Sequence, residues 1–181
     1  MFPTAMKTTY YVAASLDGFI AEPDGGVDFL DVIGEEPNAA AYEQFFAGVD
    51  ALLMGRRTYD QVLSFGEWPY SDRPCWIMTH RELSTDSAPV VAIAGTPQQV
   101  HKQIAAHACQ HLWLIGGADL ATQFLSQGLI DQLVVSLIPI VLGQGIPLFS
   151  NLPHQVVLSL KDVTARDHGI VELTYVPTQK N

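Results

Sequence analysis

The sequence predicts a three-layer α/β fold, with a mixed, mainly parallel central sheet extended by a C-terminal antiparallel hairpin. Three observations lead there. Short apolar runs alternate with segments of helical spacing as far as Gly128, the pattern of strand–helix–strand units around a parallel sheet. From Gln132 onward the pattern changes: Val171, Leu173 and Tyr175 alternate with Glu172 and Thr174, the period-two signature of antiparallel strands. Finally, 181 residues with 48% apolar side chains suffice to fill one core, so residues 1–181 are read as a single domain.

The elements follow in order. Thr8 to Ala14 is rich in β-branched and aromatic residues and reads as the first strand. Ser15-Leu16-Asp17-Gly18 makes a turn, and Gly25-Gly26 marks a long loop. Ala39 to Ala47 spaces Tyr42, Phe45 and Phe46 along one helix face and stops at Gly48. Ala51 to Met54 is a strand buried on both faces, ended by Gly55, and Arg57 to Phe65 is the next helix. Pro74 to Met78 and Val90 to Ala94 are further strands. Thr96-Pro97-Gln98-Gln99 combines a capping box with proline at the first helical position, so a helix starts there and runs to about Ala108. His111 to Ile115 is a strand, Gly116-Gly117 a turn, and Asp119 to Gln127 a helix stopped by Gly128. Leu133 to Val141 and Val156 to Leu160 complete the strands before the alternating run at Val171.

Composition removes several function classes. With 9 basic and 19 acidic residues the chain carries a net charge of −10, against the clustered cationic face that nucleic acid needs. No apolar run reaches the ~20 residues of a membrane span. The start, Met1 to Lys7, lacks the features of a signal peptide, and two cysteines, Cys75 and Cys109, do not make a disulfide framework. A cytoplasmic protein is expected. His107, Cys109 and His111 straddle a helix end and a strand start and read as packing residues, with no metal expected.

The chemistry is sought where strands run into helices. At Gly55-Arg56-Arg57-Thr58 two cations open a helix, against the macrodipole, and a bound phosphate would reconcile them. At Gly116-Gly117-Ala118-Asp119-Leu120 two glycines admit a ligand close to the backbone, and the helix start offers N–H groups to a pyrophosphate. Thr79-His80-Arg81 lies just past a third strand. Ligands gather at the carboxyl ends of parallel strands, so dinucleotide binding accounts for all three junctions together.

The stretches Tyr11 to Ala21, Leu53 to Tyr59, Leu114 to Leu120 and Ile138 to Gly143 resemble, in the same order, the dihydrofolate reductase-like superfamily, in particular its small bacterial members related to the riboflavin biosynthesis reductase domain. The resemblance implies an NADPH-dependent reductase, cytoplasmic and homodimeric, acting on a small pterin, pyrimidine or related heterocycle. It implies that Arg56 lies near the adenosine 2′-phosphate, with Gly55, Arg57 and Thr58 facing the cofactor phosphates. Thr79, His80 and Arg81 match the loop at the adenosine end. Gly116 and Gly117, leading into Ala118, Asp119 and Leu120, match the glycines beneath the pyrophosphate and nicotinamide. Ala13 and Ala14 match the strand end beside the nicotinamide ring, and Asp17 matches an aspartate facing the substrate, beside the plain reading of an Asp-Gly turn.

The chain also departs from its relatives. The carboxylate that dihydrofolate reductase carries on the helix before Met-Gly falls here on Ala39, or on Asn38 or Ala40 if the register slips; Glu43 is the nearest acid, one turn on. Ala21 to Asp50 contains no Lys or Arg, where the riboflavin-pathway enzyme is basic. Asp17, Glu43 or an ordered water are the candidate acids. Beside the reductase stand two other expectations: a nucleotide- or pterin-binding module of the same fold without significant turnover, and a structural domain with neither ligand.

Overall fold

A computed structural model describes residues 6–33, 39–83 and 88–178. Strand β1 (Lys7–Ser15) lies inside an eight-stranded sheet of order β5-β4-β3-β6-β1-β7-β10-β9. β3 (Ala51–Gly55), β4 (Cys75–Met78), β5 (Val90–Ile93), β6 (His111–Gly116) and β7 (Gln132–Ile138) all run parallel to their neighbours on the β1 side. β10 (Val171–Pro177) is antiparallel to β7 and to β9 (Leu158–Ala165), the C-terminal hairpin. The expected α/β architecture is therefore present, with a parallel body and an antiparallel edge.

The helices cover the two faces according to strand alternation. Leu52, Met54 and Trp113 point to the face of α1 (Ala39–Ala47) and α2 (Arg56–Ser64), where Tyr59 is buried. The helical spacing in α1 serves this face: Phe45 meets Tyr11 edge-on at 4.7 Å and Trp113 at 5.4 Å. Tyr10, Leu53, Leu112 and Leu114 point the other way, onto Val100 and Ile104 of α3 (Pro97–Ala105) and Phe124 of α4 (Ala118–Ser126). The capping box of α3 forms as read: Thr96 Oγ1 accepts from Gln99 N–H at 3.3 Å, and Gln99 Oε1 from Thr96 N–H at 2.9 Å.

Several boundaries differ from the sequence reading for local reasons. β7 stops at Ile138 because Pro139 cannot donate to a ladder, and Ile140 N–H turns back to the Ile138 carbonyl at 2.8 Å. The last strand before the final one starts two residues later than expected and extends through the polar Lys161–Ala165, as an edge strand with solvent beside it can. A two-stranded ribbon was not legible at all: β2 (Phe19–Ala21) pairs with β8 (Ile146–Pro147). Gly145 makes that pairing feasible, because a Cβ there would lie 2.3 Å from the Ala21 carbonyl oxygen. Among the described residues no helix is long and apolar enough to cross a membrane.

Candidate active site

The carboxyl ends of β3 and β6 come together at glycines. A Cβ on Gly55 would stand 3.8 Å from both Gly116 O and Gly117 N, and one on Gly117 would stand 3.4 Å from Thr58 Oγ1. The two strand ends thus form a narrow notch with Thr58 on its wall. Gly55 and Gly117 are also the N-caps of α2 and α4, and neither helix has a side-chain cap, in contrast to α3. A helix start without a cap leaves backbone N–H groups unpaired, with a partial positive charge. Two such starts open on one notch. Gly116, at φ +135°, holds a backbone conformation side chains rarely adopt, and the Gly116–Gly117 peptide is cis.

The flanking side chains are partly engaged by the protein itself. Arg56 Nε donates to Asp60 Oδ1 at 2.7 Å and its Nη1 to the Glu82 carbonyl at 3.0 Å. Asp60 thereby answers part of the conflict between a cation and the helix start, and the second bond ties α2 to the loop that carries Thr79, His80 and Arg81. Arg57 is exposed and has no hydrogen bond or ion pair among the described residues. Thr79 Oγ1 accepts from Arg81 N–H at 3.1 Å, leaving His80 and Arg81 exposed. On α4, Ala118 and Leu120 are buried, while Asp119 accepts a hydrogen bond from Ser150. Ala14 is fully buried on the α4 side of β1; Ala13 is half-buried on the opposite face, beside Phe29, Ile138 and Ile170.

Neither acid singled out in the sequence stands free in a pocket. Asp17 Oδ1 accepts from Ser15 Oγ at 2.6 Å and Leu142 N–H at 3.0 Å, and Oδ2 from Gly143 N–H at 2.7 Å. The Ser15 hydroxyl above all, then the Gly143 and Leu142 amides, hold its carboxyl below its ordinary pKa. A carboxylate favoured in its charged form is a poor proton donor; Asp17 fastens the end of β1 to the loop after β7. Glu43 is exposed on α1, as is Ala40; Asn38 lies outside the described residues.

A polar cluster that sequence reasoning missed occupies the α1 side of the sheet. Glu172 Oε2 accepts from Tyr11 Oη at 2.8 Å and from Ser136 Oγ at 3.4 Å, and Oε1 from Arg166 Nη2 at 2.6 Å. Burial, and after it the adjacent Glu172, pushes the Tyr11 phenol up to about 12, so it remains a donor. The signal was present in Glu172 and Thr174, whose alternation marked one strand face as polar; what it lacked was the identity of the partner across the sheet. His107 packs on Trp76 at 5.4 Å, whereas His111 bonds Gly48 O and Thr9, so that histidine pair serves two separate purposes.

The RibD C-terminal domain family matches residues 68–172 of this chain. The chain belongs to that family. It is 36% identical over 172 residues to "Uncharacterized protein YwjB" of Bacillus subtilis (strain 168), covering 94% of this chain and 97% of that one. Among solved structures, a "Putative riboflavin biosynthesis protein" from Shewanella sp. PV-4 superimposes with a TM-score of 0.87 at 28% identity, over 96% of this chain and 100% of that one. Dihydrofolate reductase from Enterococcus faecalis, complexed with NADP(H), shares the fold with a TM-score of 0.63 at 15% identity, over 97% and 99%. This RibD C-terminal domain thus has the dihydrofolate reductase-like fold that the resemblance led one to expect.

Proposed function

We propose that the protein is an NADPH-dependent reductase that transfers hydride to a small pterin, pyrimidine or related heterocycle. The observation that carries this reading is the pair of uncapped helix starts at Gly55 and Gly117 opening on one notch. Unpaired N–H groups and two helix dipoles suit a pyrophosphate, and the absence of side chains leaves room for it. The residues present therefore fit the cofactor. Gly55, Thr58, Gly116, Gly117 and the first turn of α4 would hold its phosphates. Arg56, Arg57, Thr79, His80 and Arg81 would hold the adenosine end with its 2′-phosphate. Ala13 would flank the nicotinamide. NADPH supplies the hydride; the chain binds, orients and keeps water out.

Two structural neighbours support the substrate class: the "Putative riboflavin biosynthesis protein" of Shewanella sp. PV-4 and a "pyrimidine reductase-like protein" of Corynebacterium diphtheriae. The protein acts as one domain in the cytoplasm. It works as a homodimer, a reading supported by the apolar side chains that edge strand β9 leaves half-exposed, Leu160 at 50% and Val163 at 54%. A second reading, a binding module without turnover, is favoured by one observation: Asp17 is tied to three donors and Glu43 stands in solvent. Calorimetric titration of NADPH, with steady-state NADPH oxidation over a panel of pterins and pyrimidines, separates them. Binding with turnover is expected, binding without turnover supports the module, and no binding overturns both.

A further inference from the structure

We propose that a cavity at the amino ends of the parallel strands is a second ligand site, and that it takes a small organic cation with an apolar body, a lipophilic primary amine. The cavity lies at the opposite end of the sheet from the glycine notch and is independent of the reductase reading. Its volume is about 400 Å³, within the range of small-molecule sites. Three segments build it: the last turn of α4 with the loop up to Asp131, residues 154–157 leading into β9, and the end of β10. They meet because β10 runs antiparallel to β7, with Tyr175 opposite Leu133, so the end of one strand arrives beside the start of the other. Thr178 N–H and Oγ1 both donate to the Val157 carbonyl at 2.8 Å and pin the end of β10 to the approach to β9.

The walls are apolar, and their fixed charge is of one sign. Leu125, Ile130, Val156, Val157, Val176 and Pro177 line the cavity; Leu125 and Ile130 belong to the core, whereas Val157 is 56% exposed. Among the described residues no lysine or arginine lines it, and its one carboxylate is Asp131. Asp131 Oδ2 accepts from Thr8 N–H at 2.7 Å, and Asp131 N–H donates to the Thr8 carbonyl at 2.9 Å. The carboxylate is therefore held by one oxygen, while Oδ1 receives no hydrogen bond among the described residues. The last turn of α4 adds the negative end of a helix dipole. Gly128 and Leu129 N–H groups return to the Leu125 and Phe124 carbonyls, and the carbonyl of Ser126, on the cavity wall, receives none among the described residues. A carboxylate with an open oxygen and a helix C-terminus both favour a cation, and an ammonium has donors for both.

Helix α4 joins the two sites. Its nine residues run from the N-cap Gly117, in the notch, to Ser126, on the cavity wall, roughly 13 Å along the axis. An anion at its start and a cation at its end complement the same dipole, so the amine and the cofactor bind together rather than compete.

The test is calorimetric titration of the full chain with three indoles of similar size: tryptamine, a cation; tryptophol, neutral; and indole-3-propionate, an anion. The wild type should bind tryptamine at least about fivefold more tightly than tryptophol, and indole-3-propionate most weakly; the ratio is modest because Asp131 keeps one side in water. Asp131→Asn retains an acceptor for the Thr8 amide and removes the charge, so it should bind tryptamine no better than tryptophol. Val157→Trp fills the cavity from an exposed position and should weaken both compounds at least about tenfold; it decides the matter if the Asn variant does not fold. Saturating NADPH should leave the affinity for tryptamine undiminished. A wild type that binds none of the three, or all three equally, overturns the proposal, as does unchanged tryptamine binding in either folded variant or its displacement by NADPH. A Val157→Trp variant whose mass in sedimentation differs from wild type overturns it too, by giving this face to a second copy of the chain.

Discussion

Gly116 and Gly117 are adjacent, yet the structure gives them different duties, and substitution separates the two. Gly117 has φ −87° and ψ −161°, a backbone conformation open to any residue, and a Cβ there meets only Thr58 Oγ1 at 3.4 Å. Gly117→Val therefore keeps the chain's path, at an overpacking cost of about 1–3 kcal/mol. Its methyl groups, however, occupy the notch between the starts of α2 and α4. Losing contact between a pyrophosphate and even one charge-assisted N–H donor costs roughly 1.5–3 kcal/mol, so NADPH affinity should fall at least tenfold. Gly116 has φ +135°, and a Cβ there would find only Tyr10 Cε2, at 3.9 Å. Gly116→Ala has space but not the conformation, and strain of about 1–3 kcal/mol should lower the melting temperature by several degrees. Calorimetric titration with NADPH and thermal unfolding by circular dichroism read the two effects independently. A folded Gly117→Val variant that binds NADPH like the wild type would refute the placement of the cofactor over this notch.

Other outcomes follow from the same geometry. Arg56, oriented by Asp60 and the Glu82 carbonyl, should favour NADPH over NADH by roughly ten- to hundredfold, and Arg56→Ala should remove most of that difference; equal affinities in the wild type would refute it. The protein should be a poor dihydrofolate reductase, at least a hundredfold below a dedicated enzyme, since general acid assistance is worth ~10²–10⁴ and Glu43 is in solvent; Ala39→Asp should raise the rate, and turnover at ordinary enzyme rates in the wild type would show the argument wrong. Burial lowers the pKa of His101 and of His111, so the unfolded chain takes up protons first as the pH falls through about 6.5 and stability should drop between pH 7.5 and 5.5. Urea denaturation at the two pH values checks this, and the drop should shrink in His101→Gln and His111→Gln.

What could be read in advance was local. The capping box at Thr96, the apolar runs at Ala51 and His111, and the aromatic spacing of Tyr42, Phe45 and Phe46 each depend on residues within one turn or one strand, and each formed. The glycine junctions were legible for the same reason: Gly55 and Gly117 end one element and begin the next. The parts that escaped depend on partners far along the chain. Asp17 looked like a turn residue or a substrate contact because Leu142 and Gly143, whose amides it receives, lie 125 and 126 positions away. Glu172 looked like the wet side of a strand because its partner Tyr11 is 161 positions distant. The β2–β8 ribbon is too short to show a period, and only the close approach at Gly145 could have hinted at it.

The position of β1 has a consequence for how the chain is made. It is made before the other strands of the sheet, yet its neighbours on either side are β6 and β7, with Thr9 opposite Trp113 on one flank and Gln132 on the other. Until more than a hundred further residues have been synthesised, Tyr10 to Ala14 has no edge to pair with and no core to enter. Contacts so distant in sequence make assembly slow, and an unpaired apolar strand is a template for the wrong chain during that interval. A nascent chain halted after β5 would contain most of the helix-facing residues of the α1 and α2 layer but no place for its own first strand. Slow assembly, with an interval in which the first strand needs shielding from other chains, is the expected consequence of this topology.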